Sequence, residues 1–211
     1  MALPRGILRI FLLSPAKVSG ARAGLLLNPF APFPLARQFR EHGLTLAEIF
    51  TFASGLYFRG KITYARRFAG PRDLIRVISS NAGLLDPLTR FNPDGLRAFG
   101  EVDIHEGNPG YHLPLRRDAT TLARELSPKG TAILLGSIAT AKYRDVLLDA
   151  FGPRLVFPGD FVGRGDMSRG GLLLRATREG MELPYVKVEG AVFKGSRAPR
   201  ISKLQPREPK E

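Results

Sequence analysis

Four short apolar runs, each closed by small or polar residues, constrain this chain more than any other feature of its sequence. They are Ile7–Leu13, broken only by Arg9, then Leu74–Ile78, 131–135 and 155–157. Runs of this length suit buried strands. Helical patterns separate them, and strands alternating with helices predict an α/β domain. The expected architecture is a mainly parallel central sheet of about four strands with flanking helices and a C-terminal β-hairpin. The hairpin is placed where 172–177 and 183–188 flank Arg178-Glu179-Gly180-Met181. Domain sizes put residues 1–190 in one unit. Residues 191–211, with six Lys or Arg against two Glu, read as a basic, flexible arm.

Between the strands, Ala21–Leu27 reads as a short helical turn and 35–42 as a brief helix closed by Gly43. Thr45 has Glu48 three residues on, the capping-box spacing that starts a helix. In Leu56–Phe68, Tyr57, Lys61, Tyr64 and Phe68 recur at helical spacing. Such an aromatic and basic stripe fits nucleic acid, with Arg59, Lys61, Arg66 and Arg67 as contacts. More often such a stripe is a buried face whose arginine heads reach water. Residues 86–114 look loop-rich with a short helix near 96–99, and 118–126 reads as a helix with Asp118 as N-cap. Ala141–Phe151 is amphipathic and stops at Gly152-Pro153.

Ligands in open parallel sheets bind beyond the carboxyl ends of the strands. Here those ends are Ser14-Pro15-Ala16-Lys17, Ser79-Ser80-Asn81, Gly136-Ser137 and Gly159-Asp160. Four such turns together predict a cleft. The last opens a stretch, 158–171, holding five glycines, two aspartates, two arginines and a serine. Glycines let a backbone approach a ligand closely, and arginines present planar forks to phosphate or carboxylate. The expected catalytic residues are Asp160, Asp166 and Arg169. Lys17, Arg164 and Arg169 offer cations, Ser80 and Asn81 can read a base edge, and Ser14, Gly136, Ser137 and Ser168 complete the ligand set. Asp166 and Arg169, three apart, would share a face in a helical turn.

Composition narrows the chemistry. With no cysteine and three scattered histidines, thiolate metal sites are excluded and no metal site is expected. No P-loop, GxGxxG, HExxH or GxSxG pattern is present, and no cofactor is implied. The apolar stretch at 8–13 is too short for a membrane span or most signal peptides, so a cytoplasmic protein without a membrane partner is expected. Formal net charge is +13, with a pI near 10.7. That surface attracts polyanions, nucleic acid first; an arginine-rich coding bias gives the same count.

Several of these segments together resemble the YaaA peroxide-response family. Leu13-Ser14-Pro15-Ala16-Lys17 is similar to its opening strand and turn. Leu56-Tyr57-Phe58-Arg59-Gly60-Lys61 with Tyr64-Ala65 looks like the helix before its second strand. Ile78-Ser79-Ser80-Asn81-Ala82-Gly83-Leu84-Leu85 resembles its strand-end pattern, with Asn81-Ala82 departing from it. Gly136-Ser137 with Lys142-Tyr143, then Phe157-Pro158, continue the order. The resemblance implies an α/β domain associated with DNA or RNA, oxidative-stress protection or base modification. The strand-end sites also look like those of uracil-DNA glycosylases, although no Gly-Gln-Asp-Pro turn and no His-Pro-Ser motif is present. Two readings follow: a nucleic-acid-binding protein of the YaaA-like kind, or an enzyme acting on a nucleotide, nucleoside or base in the cleft.

Overall fold

The computed structural model describes residues 6–193 together with 195, 196 and 198. The four apolar runs are its central strands: β1 (Ile7–Leu13), β3 (Leu74–Ile78), β6 (Leu126–Leu135) and β7 (Leu155–Pro158). They run parallel in the order β3-β1-β6-β7. From Ile10 to Leu13 the middle strand has no solvent exposure, which explains why its sequence shows no polar alternation. The sheet is larger than four strands. β4 (Leu84–Leu85) adds antiparallel to β3, and β8 (Tyr185–Lys187) antiparallel to β7, giving six in all. A separate two-stranded ladder joins β2 (Leu44–Thr45) to β5 (Arg90–Phe91).

Helices cover the sheet. α1 (Ala21–Leu27) and α2 (Pro34–His42) precede α3 (Leu46–Ser54), which carries the full reciprocal capping box of Thr45 and Glu48. α4 (Leu56–Phe68) buries Tyr57, Phe58, Lys61, Ile62, Tyr64 and Ala65, so its aromatic stripe is core. α5 (Pro93–Gly100), α6 (Pro109–Glu125) and α7 (Ala141–Phe151) follow.

Two expectations about elements are corrected. The segment expected to form the first hairpin strand is α8 (Asp166–Glu179). Its three consecutive leucines look like a strand, but the buried positions are Arg169, Gly170, Leu173 and Ala176, a helical stripe. Tyr185–Lys187 accordingly pairs with β7 and not with its own neighbour. Asp118 is not an N-cap. α6 begins nine residues earlier, capped by Asn108, whose side chain accepts from Gly110 N–H, and it carries Pro114 inside. Asp118 instead accepts the Leu84 N–H at 2.9 Å, which ties α6 to β4. Gly83 sits between them with φ +72, and a side chain there would meet Asp118 Oδ2 at 2.2 Å and Pro114 O at 2.7 Å.

α4 and α8 cross at glycine. A Cβ on Gly60 would lie 2.8 Å from Gly170 O, and one on Gly170 would lie 2.9 Å from Leu56 O. This contact brings the start of α8 down beside the carboxyl end of the central strand. Of the expected basic arm, residues 194, 197 and 199–211 lie outside the described residues.

Candidate functional site

In-register pairing sets Leu13 beside Val77 on one side and Leu135 on the other. The residues that follow these three strands are therefore brought together. The chain passes from β1 to β3 on one side, then crosses to β6 on the other, so the ends of β1 and β6 form the point where the order reverses. Such a point opens a crevice. A cleft of about 770 Å³ lies there, lined by Ser14, Lys17, Ser80, Ser137 and Asp166 from the expected set. Phe50, Tyr57 and Phe99 line it with rings, Tyr143 lies at its floor, and Lys142, Asp103 and His105 complete the rim. Gly136 lies against its floor, where a Cβ would meet Ser14 Cβ at 2.9 Å and Tyr143 Oη at 3.0 Å.

Beneath the floor is a lysine. Lys61 is only 1% exposed, and its Nζ donates to the Ser14 carbonyl at 2.6 Å and to Ser14 Oγ at 2.9 Å. The Tyr57 ring lies 4.3 Å from the same nitrogen. Burial lowers the Lys61 pKa to about 7; Asp166 opposes that shift and the Arg169 cation adds to it. Tyr143 Oη accepts the Ser137 N–H at 3.0 Å. Burial pushes this phenol's pKa up, while the Ser14 hydroxyl and the Ser137 N–H hold it back. Tyr57 Oη is buried and has no hydrogen-bond partner among the described residues; its pKa is also raised by burial, against the pull of Arg169.

Asp166 opens α8 and Arg169 follows one turn later. Their ion pair spans 3.4 Å, with Asp166 70% and Arg169 11% exposed in the side chain. Arg169 Nε also donates to the Phe161 carbonyl at 3.2 Å, which holds the guanidinium behind the cleft wall. Ser80 reaches the cleft, but its hydroxyl donates to Phe99 O at 2.6 Å. Asn81 gives its amide to Ala98 O at 3.0 Å. These two anchor the end of α5. Asp160 is exposed after β7, and Arg164 donates to the Asp160 carbonyl and to Ser168 Oγ. Asp160, Arg164, Ser168 and Asn81 are not among the residues lining the cleft.

The basic helix divides. Arg59, Arg66 and Arg67 are exposed, and Arg59 and Arg66 line a second groove of about 810 Å³ with Arg22. Lys61 is removed from that surface, since it points to the opposite side of α4. Sequence reasoning placed it there because it stands among arginines. Its spacing from Tyr57 and Tyr64, four and three residues, was the signal for the inward face. Tyr143 was missed as a site residue because it reads as ordinary core of an amphipathic helix. Among the described residues, no three His, Asp or Glu side chains gather as metal ligands. No protein-family model, curated protein or solved structure matches the chain.

Proposed function

We propose that this is a nucleic-acid-associated protein whose strand-end cleft receives a nucleotide, either free or as an unpaired residue of DNA or RNA. One observation carries the reading: the ends of β1, β3 and β6 meet at a single cleft of about 770 Å³, with aromatic rings lining it and Lys17 and Lys142 at the rim. That volume suits a small-molecule site. Rings supply a stacking surface for a base, and the two ammonium groups suit its phosphate. The net charge of +13 and the exposed Arg59, Arg66 and Arg67 support a longer polyanion outside the cleft. A second reading, an enzyme acting on the bound nucleotide, is favoured by the Lys61 amine against the Ser14 hydroxyl.

Calorimetric titration separates pocket from surface. Adenosine 5′-monophosphate is expected to bind with an affinity that changes little as salt rises, because one phosphate releases few counterions. A single-stranded oligonucleotide is expected to weaken with a log-log slope of about −0.7 for each phosphate held. Replacing Lys17 and Lys142 together with Ala should weaken the nucleotide about tenfold or more, on the scale of charge-assisted contacts. Absence of nucleotide binding at millimolar concentration would leave the cleft without this function.

A further inference from the structure

Ser14 lies just past the carboxyl end of the central strand, at the floor of a cleft, where open α/β sheets present reactive groups. Its Oγ is 2.9 Å from a buried amine, and that amine is oriented by the Ser14 carbonyl at 2.6 Å and by the Tyr57 ring at 4.3 Å. The arrangement has the three parts of an activated nucleophile: a hydroxyl, a base within hydrogen-bond reach, and groups that fix the base.

Either form of the amine finds partners here, and burial separates the two. A neutral amine has two N–H bonds and one lone pair. In that form the carbonyl and the ring face take the two N–H bonds and the lone pair accepts the Ser14 hydroxyl proton, the reverse of the Nζ-to-Oγ donation that the ammonium makes. The ammonium form has the same neighbours, all neutral. Among the described residues no carboxylate hydrogen-bonds it: Asp166, the acid nearest in effect, pairs with Arg169. The groups around the nitrogen are Ser14 just past β1, the Tyr57 and Phe58 rings on its own helix, and the charges of Asp166 and Arg169 from α8. Burial without a bonded counter-ion favours the neutral amine, and the Lys61 pKa near 7 agrees. The Ser14 hydroxyl has two other partners, Leu135 O at the longer distance of 3.3 Å and the Tyr143 hydroxyl.

We propose that Ser14 is a nucleophile, deprotonated by Lys61, that attacks the phosphorus of a phosphate ester bound in the strand-end cleft. The substrate class rests on the nucleotide reading above; the Ser14–Lys61 chemistry does not. A bond forms from Oγ to phosphorus as the hydroxyl proton passes to Lys61 Nζ. The bond from phosphorus to the leaving oxygen breaks, and that oxygen departs with the bonding pair and takes the proton back from Lys61. Water then attacks the phosphoserine, again giving a proton to Lys61, and Oγ leaves with its bonding pair and recovers that proton. Lys17 and Lys142 at the rim offset charge on the phosphoryl oxygens.

A fluorophosphonate tests this chemistry without knowledge of the leaving group, since serine displaces fluoride. The expected result is one adduct, on Ser14 by peptide mass spectrometry, with a rate that rises with pH about a midpoint near 7. Lys61→Met keeps the bulk without the amine, and should slow labelling about a hundredfold, the usual size of general-base catalysis. Ser14→Ala should remove the adduct. Circular dichroism checks that each variant folds, and if Lys61→Met does not, the pH profile of the unaltered protein decides. An adduct elsewhere, none on folded protein, or a midpoint above about 9, towards an unperturbed lysine, would overturn the proposal. So would a rate indifferent to Lys61→Met. Adenosine 5′-monophosphate should slow labelling; Ser14 labelling that it leaves unchanged would remove the nucleotide reading and keep the nucleophile.

Discussion

Lys61 and Arg9 are both cations set in apolar runs, and their neighbours give them opposite roles. Lys61 meets a carbonyl, a hydroxyl and a ring, all neutral, so its charge is weakly held. Arg9 meets two acids. Its Nε donates to Asp73 at 2.9 Å and its Nη1 to Glu182 at 2.8 Å, while Nη2 donates to the Phe68 carbonyl. One guanidinium thereby ties β1 to the end of α4, the entry to β3 and the approach to β8. The Asp73 side chain is 4% exposed, and removing its partner would leave a buried carboxylate. Arg9→Met should therefore lower stability by about 1–3 kcal/mol in urea denaturation, the cost of leaving a buried acceptor without its partner. A loss under about 0.5 kcal/mol would mean that the network contributes nothing beyond a surface ion pair. From sequence, Arg9 is only an interruption in a strand. Its partners stand 64 and 173 residues away, and no local pattern connects them.

Elements were legible where one periodicity ruled and obscure where two overlapped. The capping box of Thr45 and Glu48, the stop at Gly43 and the central strands follow from local chemistry. α8 does not, because Leu172-Leu173-Leu174 satisfies a strand pattern as well as a helix. The helix prevails because Gly170 lets it close on α4, a contact invisible in either segment alone. That crossing yields a paired test on neighbouring residues. Gly170→Ala would set a Cβ 2.9 Å from Leu56 O and Tyr57 Cα, against backbone that cannot rotate away. It should cost about 1–3 kcal/mol. At Gly171 nothing lies within 4 Å, so Gly171→Ala should stabilise the helix by roughly 0.5–1 kcal/mol. Chemical denaturation of both variants reads the difference, and equal effects would show that the helices do not meet so closely.

For the whole molecule, the strand-end turns marked where a cleft lies, and the fold decided which residues reach it. Ser14, Lys17, Ser80, Ser137 and Asp166 line the cleft, whereas Asn81, Asp160, Arg164 and Ser168 take part in other contacts. Two features separate these groups: how far each strand end lies from the point where the order reverses, and which polar atoms the turns need for themselves. β7 stands beyond β6 in the sheet, which leaves Asp160 outside. The asymmetry of α4 could not be read from charge. Its inner face sends Lys61 to the cleft floor, and its outer face presents Arg59 and Arg66 to a separate groove. The protein thus has two regions lined by cations, and the nucleotide proposed above belongs in the inner one. Backbone amide NMR with added adenosine 5′-monophosphate tests that assignment most directly. Shifts are expected at Lys17, Tyr57, Asp103, Ser137 and Tyr143, with Arg22, Arg59 and Arg66 unmoved; shifts confined to Arg22, Arg59 and Arg66 would contradict it.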